Sequence, residues 1–315
     1  MKPPCRAVWL MLALLPCPAM AQDASPSAIQ SFRVAVAPGE TLHVVAAGTG
    51  DPVVLVPGLF GCAFGFRHLL SRLPGLGYRA MVIEPLAVGN SSRPERAEYS
   101  LTAQADRLAL AIQRTERRPV LLVAHSLSAS MALRLGVRHP SLVRGIVLLD
   151  GGPMERVATK GFRRAMTYAP WVKWLGGMKR LRPRLRHDLI ASSADTTWLT
   201  DRVLEAYTAG AAADLDGTLK AYLRMADARE PEKLEPRLQE LGVPVRLLVG
   251  TARHQGGIAS AQITLLAQRV PRFAVDSVAR AGHYLHEEAP EAVISAIRRT
   301  HLSSLALGRA REVRP

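Results

Sequence analysis

The segment Ala124-His125-Ser126-Leu127-Ser128 follows the apolar run Pro119–Val123 and opens the amphipathic stretch Ser128–His139. The apolar run is typical of a buried strand, and the spacing of apolar residues after it is typical of a helix. Ser126 is therefore predicted to lie in a sharp strand-to-helix turn, with its hydroxyl exposed at the top of a sheet. Such a serine can be a nucleophile or simply a helix N-cap.

Further apolar runs predict the rest of the sheet. Buried, mostly parallel strands are expected at Val53–Val56, Ala80–Ile83, Val120–Val123, Gly145–Leu149, Val245–Val249 and Phe273–Val278, after an N-terminal hairpin at Phe32–Ala37 and Thr41–Ala47. Helical patterns fall between them, at Phe66–Leu73, Thr102–Thr115, Ser128–His139 and Ile258–Arg269. This alternation predicts a doubly wound, mostly parallel α/β sheet.

A second segment carries a histidine in a glycine-led loop: Arg280-Ala281-Gly282-His283-Tyr284-Leu285-His286-Glu287-Glu288-Ala289-Pro290. A serine followed, after a long interval, by a histidine is the order found in α/β hydrolases. The segments AHSLSA and GHYLHEEAP resemble that family's common GHSMGG and GHFxHxExP motifs. The resemblance implies that Ser126 is the nucleophile and His283 the general base.

Two more stretches resemble the family. The first, Val53-Val54-Leu55-Val56-Pro57-Gly58-Leu59-Phe60-Gly61, matches its strand-then-HG segment, with Pro57 in place of the usual histidine. The family's oxyanion hole takes a backbone N–H from the residue after that glycine, which implies Leu59, with Leu127 as the second donor. The second stretch, Ile83 to Pro94, matches the D-x-x-G-x-G-x-S-x-x-P loop, with Glu84 in place of the aspartate.

The third triad residue departs from the family pattern. The usual G-x-x-D after the strand Val245–Val249 is here Gly250-Thr251-Ala252-Arg253, and Asp276 lies inside the next strand. Some members take the acid from the end of the preceding core strand, which here is Asp150. An aspartate before a glycine is also a common turn pair. Asp150 is therefore a hypothesis that competes with an ordinary turn residue.

The interval from Gly151 to Gly242 has no convincing buried strand and is too long for a structureless loop. It resembles the helical cap that many α/β hydrolases insert above the active site. The predicted domains are a signal peptide at 1–21, a hydrolase core at 22–150 and 243–315, and a helical cap at 151–242. The cap aromatics either line an acyl or aromatic pocket or pack the cap onto the core: Trp171, Trp174, Trp198 and Tyr207.

The N-terminus predicts export. Lys2 and Arg6 flank an apolar stretch that is too short to span a bilayer, and Ala19-Met20-Ala21 is a small-x-small cleavage site. We therefore expect a periplasmic or secreted protein. Cleavage would remove two of the three cysteines and leave Cys62, which is expected to be a small buried hydrophobe rather than a disulfide partner.

The formal net charge is +15 at pH 7, and most of the positive residues are scattered arginines. The one dense basic run, Lys179 to Arg186, has no interleaved aromatic residue and no nucleic-acid-binding module around it. We expect no nucleic-acid partner. For the basic run, a solvated face is favoured over contact with a membrane surface or an anionic substrate.

Together these features predict a serine hydrolase of a small-molecule carboxylic ester, using a Ser-His-Asp triad through an acyl-enzyme, without cofactor or metal. His283, His286 and Glu287 superficially resemble a zinc motif, but Gly282 places His283 in a loop. Two alternatives stay open: hydrolysis of an amide or carbon–carbon bond, and a noncatalytic binding member of the fold. Epoxide and haloalkane chemistry is disfavoured, because the family members that perform it resemble this pattern with an aspartate at the serine position.

Overall fold

The computed structural model describes residues 28–157 and 178–312. Within these residues one sheet has the strand order β1-β2-β4-β3-β5-β6-β7-β8. The strands are β1 Gln30–Ala37, β2 Glu40–Ala47, β3 Asp51–Val56, β4 Tyr78–Ile83, β5 Val120–His125, β6 Val143–Leu149, β7 Val245–Gly250 and β8 Phe273–Val278. The hairpin β1–β2 joins β4 in antiparallel fashion, and the strands from β4 to β8 pair in parallel. The predicted doubly wound, mostly parallel α/β sheet is confirmed.

Helices follow most of the parallel strands, as the sequence pattern predicted. They are α1 Arg67–Arg72, α2 Leu101–Thr115, α3 Ser128–Arg138, α4 Met178–Ala191, α5 Asp201–Ala213, α6 Leu215–Asp227, α7 Ser260–Arg269, α8 Leu285–Glu288 and α9 Pro290–Glu312. The hydroxyls of Ser100 and Thr200 cap the N-termini of α2 and α5 by accepting backbone N–H groups. None of the helices within 28–157 and 178–312 has both the length and the apolar character that crossing a bilayer requires.

Both faces of the sheet are covered. Val54 and Val56 of β3 belong to the buried cluster that includes α2 and α3, whereas Val53 and Leu55 belong to the cluster that includes α1 and α9. Because successive side chains of a strand point to opposite faces, a strand buried on both sides must be apolar throughout. Polar side chains are therefore concentrated where the strands end, and that edge carries the candidate site.

Glu84, at the end of β4, fixes the loop that leads away from β3. Its buried carboxylate accepts the backbone N–H of Ala63 at 2.6 Å, the backbone N–H of Asn90 at 2.6 Å and Nδ1 of His43 at 2.8 Å. These donors satisfy polar oxygen atoms that would otherwise be costly to bury. The position that resembles the family's loop aspartate thus holds two loops together.

The described part of the interval 151–242 is helical, with α4, α5, α6 and a 3-10 turn at Glu235–Glu240, and no strand lies in that part. The boundaries of the predicted core and cap stay a prediction. The predicted signal peptide and the predicted cap residues Trp171 and Trp174 lie outside the described residues.

Candidate active site

Ser126 lies in a strained turn between β5 and α3. Its φ of 54° is in the left-handed region, which a residue with a β-carbon rarely occupies. Its N–H donates to the Leu149 carbonyl at 3.0 Å, and its carbonyl accepts the Ala129 N–H at 3.0 Å. The chain packs so closely here that a Cβ on Gly151 would lie 2.2 Å from the Ser126 carbonyl oxygen. This close packing holds the turn in its strained form.

The neighbouring serine hydroxyls of α3 are engaged. Ser128 donates its hydroxyl to the Pro57 carbonyl at 2.6 Å, and Ser130 donates to the Met154 carbonyl at 2.9 Å. Ser126 makes no side-chain hydrogen bond to any residue in the described ranges. Among these three serines, the hydroxyl of Ser126 is the one left available for chemistry.

Asp150 and His283 are hydrogen bonded to each other. Asp150 follows β6 with a φ of 45°, is 1% exposed, and accepts a hydrogen bond from Nδ1 of His283 at 2.7 Å. The carboxylate therefore favours the His283 tautomer with its proton on Nδ1. In that tautomer Nε2 can accept a proton. The structure thus brings together the two residues that the sequence placed 133 positions apart.

The carboxylate of Asp150 is held in its ionised form. Burial opposes ionisation, but hydrogen bonds and charge interactions with His283 and His254 outweigh that effect and lower the pKa of Asp150 below its ordinary value. A buried carboxylate that remains charged can stabilise an imidazolium beside it.

The loop that carries His283 is fixed from two sides. Ser192, just after α4, accepts the backbone N–H of His283 at 2.8 Å, and Glu288 accepts the N–H groups of Gly282 and Tyr284 at 2.9 and 3.1 Å. The carbonyl of His283 accepts Nε2 of His125 at 3.0 Å. These contacts fix the backbone on which the candidate base stands.

His125 and His286 are buried neutral rings behind His283. Burial, followed by the neighbouring histidines, lowers the pKa of His125 well below its ordinary value and that of His286 to about 3. The His125 ring packs 4.6 Å from the rings of both His283 and His286. These contacts place His125 in the packing behind His283.

The candidate oxyanion donors are the backbone N–H groups of Leu59 and Leu127. Among the described residues, neither the Leu59 N–H nor the Leu127 N–H donates to a carbonyl or side chain. Leu127 is the N-cap of α3, where backbone N–H groups and the helix dipole favour an anion. The Leu59 peptide is anchored by its carbonyl, which accepts the Tyr222 hydroxyl of α6 at 2.7 Å.

One residue of the site was missed from the sequence. His254, four residues after the end of β7, donates Nε2 to the same Asp150 oxygen, Oδ2, at 2.8 Å. The signal that could have identified His254 is its position just beyond the carboxyl end of a parallel strand, β7. By contrast, Asp276 is ion-paired with Arg246 and Arg299 and makes no contact with His283 in the described structure.

Asp150, His254 and His283 also have the makeup of a small metal site, since their ligand atoms lie within 4.8 Å of one another. The 2.7 and 2.8 Å separations from the carboxylate are hydrogen-bond lengths, with a proton in each gap. A cation would have to replace both protons. The geometry therefore fits a hydrogen-bonded acid–base group better than a metal centre.

Two of the predicted cap aromatics pack against residues of the predicted core. Trp198 and Tyr207 share a buried cluster with Cys62, and the Tyr207 hydroxyl donates to Glu287 at 2.8 Å. Burial is the main cause that raises the pKa of the Cys62 thiol to about 12. Cys62 is a buried free thiol, and Trp198 and Tyr207 pack beside it.

Known proteins share this architecture. A model of the alpha/beta hydrolase family matches residues 53–296. The chain is 26% identical over 127 residues to "Bifunctional epoxide hydrolase 2" of Rattus norvegicus, covering 40% of this chain but only 23% of that protein. It is 23% identical over 271 residues to "2-(acetamidomethylene)succinate hydrolase" of Mesorhizobium japonicum, covering 82% and 90% of the two chains.

A solved structure agrees in fold. The structure titled "Epoxide hydrolase CorEH without ligand" superposes with a TM-score of 0.72 at 17% identity, covering 87% of this chain and 98% of the other. Identity this low supports the fold and not the substrate. The family match over most of the chain, together with the strand order and the strained turn at Ser126, shows that this protein belongs to the alpha/beta hydrolase family.

Proposed function

We propose that this hydrolase cleaves a carboxylic ester of a small molecule through a serine acyl-enzyme. The nucleophile is Ser126, the general base His283, the acid Asp150, and the oxyanion donors are the N–H groups of Leu59 and Leu127. The observation that carries the proposal is the 2.7 Å hydrogen bond from His283 Nδ1 to Asp150, at the sheet edge where Ser126 has its strained turn.

Acylation uses each group in turn. Nε2 of His283 takes the hydroxyl proton as Ser126 attacks the ester carbonyl, because an unassisted serine hydroxyl is a weak nucleophile. Asp150 stabilises the imidazolium that forms, and the two free N–H groups stabilise the developing oxyanion. The tetrahedral intermediate collapses as His283 returns the proton to the leaving alcohol.

Deacylation repeats the same steps with water. His283 removes a proton from water as it attacks the acyl-enzyme, and the oxyanion again forms beside Leu59 and Leu127. The collapse of this second intermediate releases the carboxylic acid and returns the proton to Ser126. Apart from the ester and water, every group that these steps use belongs to the chain.

The residue at the nucleophile position favours an ester over an epoxide. Family members with epoxide chemistry resemble this pattern with an aspartate where this chain has Ser126. A serine is suited to acyl transfer, because its acyl-enzyme is an ester that water can hydrolyse. Ser126 therefore favours ester hydrolysis in this chain over the epoxide chemistry of those relatives.

The sequence supports export of the enzyme. The charged, apolar and small-residue segments before Gln22 have the pattern of a cleaved signal peptide. We propose a periplasmic or secreted location, where a small-molecule ester is the partner and no nucleic acid is bound. We propose that the basic run from Lys179 to Arg186 is a solvated face rather than a membrane contact.

The direct test is a serine-reactive fluorophosphonate, followed by peptide mapping and an assay with p-nitrophenyl esters of graded acyl length. We expect the label on Ser126 and turnover of at least one ester. Ser126→Ala should lose labelling and several orders of magnitude of kcat, while Ser130→Ala, whose hydroxyl is bonded to Met154, should keep both. Label on another serine would contradict the assignment, and turnover of amides but not esters would favour the alternative bond class.

A further inference from the structure

His254 has acceptors at both of its ring nitrogens. Nδ1 lies 2.6 Å from the carbonyl oxygen of Ala252, and Nε2 lies 2.8 Å from Oδ2 of Asp150. The side chain is 7% exposed, and the loop is anchored because the Gln255 N–H donates to the Ala191 carbonyl at 3.0 Å. The ring is thus confined between two oxygens.

Both oxygens accept hydrogen bonds and donate none. A carbonyl has no proton, and Asp150 is held as a carboxylate by its hydrogen bonds from two histidines. A neutral imidazole has one N–H and can satisfy only one of these oxygens. An imidazolium has an N–H on each nitrogen and satisfies both. Although burial opposes the charge, the bonds to Ala252 and Asp150 raise the pKa of His254.

We infer that His254 carries a proton on both ring nitrogens at neutral pH. This cation shares one oxygen of Asp150 with His283 and thereby extends the proposed triad of Ser126, His283 and Asp150 to four residues. The expected effect of this cation on kcat/KM rests on the proposed function. His254 is a positioning residue: it contacts the acid and acts on the base through it, and it is not placed against the substrate.

The cation has two effects. It holds the carboxylate of Asp150 in the orientation that reaches Nδ1 of His283. It also offsets part of the negative charge of Asp150, so that the acidic limb of kcat/KM lies at lower pH than it would without the cation. The rings of His254 and His283 are 6.2 Å apart, close enough for an unscreened charge to matter.

Other charged groups facing His254 are few within the described residues. Asp150 approaches from the end of β6, and Glu288 and His283 approach from the segment after β8. The segment after α4 contributes the uncharged Ala191 carbonyl to the same loop. Glu288 favours the cation further, while its own carboxylate is engaged by backbone N–H groups.

The test compares two charge-removing variants of the mature chain by the pH dependence of kcat/KM. His254→Gln removes the cation but keeps an amide that can donate to Asp150, and we expect the acidic limb to move up by about one pH unit. Arg253→Gln removes a cation one residue away that makes no bond to Asp150, and its limb should stay within about 0.2 of a pH unit of wild type. Equal shifts in the two variants, or no shift in His254→Gln, would overturn the inference.

A second measurement needs no turnover and no variant. In the ¹⁵N-histidine-labelled wild-type chain at pH 7, both ring nitrogens of His254 should give the chemical shifts of protonated nitrogens. A single protonated nitrogen would overturn the inference even if the esterase assignment is right. Conversely, a doubly protonated His254 in a chain that hydrolyses no ester would refute the proposed function but support the inference that His254 is a cation.

Discussion

Ser126 and Asp150 occupy equivalent positions on neighbouring strands: each follows one partner of the pair His125↔Leu149 that closes the parallel ladder between β5 and β6. Both have a left-handed backbone, with φ of 54° and 45°. The Ser126 N–H donates to Leu149, the residue before Asp150, at 3.0 Å. The candidate nucleophile and the candidate acid are therefore held in register by the sheet itself, while a loop brings His283 to the acid.

This register leads to the first prediction. Asp150→Asn should lower kcat by about 10³-fold or more, because an amide can present its NH₂ to Nδ1 and thereby favour the wrong tautomer of His283. Steady-state kinetics on a p-nitrophenyl ester measures the loss, and circular dichroism checks that the fold remains.

Two controls accompany this variant. Asp276→Asn removes a carboxylate of β8 that is ion-paired with Arg246. Arg253→Ala alters the position where the family pattern expects the acid. Both should retain kcat within about threefold of wild type. Near-normal turnover in Asp150→Asn would instead favour a dyad or a noncatalytic protein.

The second prediction concerns the anchoring of the oxyanion segment. Tyr222→Phe deletes the hydroxyl that donates to the Leu59 carbonyl at 2.7 Å. A hydrogen bond of this kind contributes about 1 kcal/mol, so kcat should fall roughly three- to tenfold. KM should change little, since the loss affects the transition state.

The matched control is Tyr207→Phe, which removes a hydroxyl of α5 that donates to Glu287 rather than to Leu59. That variant should lose stability while keeping kcat. If both tyrosine variants lower kcat equally, the effect belongs to general packing of the helices, and the anchoring role of Tyr222 is wrong.

The third prediction is acid sensitivity from a buried histidine. Because burial lowers the pKa of His286 to about 3, against 6.5 in the unfolded chain, its contribution to stability is present above pH 6.5 and is lost as the pH falls towards 3. At pH 4.5 this contribution should be smaller by about 2 kcal/mol than at pH 7.

His286→Leu removes the contribution of this histidine to the pH dependence of stability. The ring stacks on Phe66 with centroids 4.6 Å apart, so an apolar side chain fits the same surroundings. Urea denaturation at the two pH values should show a difference about 2 kcal/mol smaller in the variant than in wild type. An unchanged difference would mean that other groups dominate the acid response.

The fourth prediction is that the mature protein begins at Gln22. Cleavage after Ala21 is expected from the charged start, the apolar stretch and the small residues before it. Intact-mass and N-terminal peptide analysis of protein recovered from its native cell measures this directly. A retained Met1, or a lipid on Cys17, would contradict the export prediction as stated.

Local patterns were sufficient to predict the sheet, because apolar runs and their spacing are properties of short segments of the chain. The predicted strand Gly145–Leu149 lies within the observed β6, and the predicted helix Ser128–His139 corresponds to the observed α3 within one residue. The sequence also singled out Ser126 and His283, since both lie in motifs that span only a few residues. Asp150 came from the sequence only as one of two interpretations.

Local patterns do not show which remote segments of the chain meet in the folded protein. Which carboxylate lies beside His283 depends on the order of β6, β7 and the loop after β8 in space, and Asp150 is 133 residues away from that ring in the chain. His254 stands in no motif, because its partners are a nearby backbone carbonyl and a carboxylate 104 residues away. Hydrogen bonds of this kind depend on distances of a few ångströms between remote segments, and only the packed chain sets those distances.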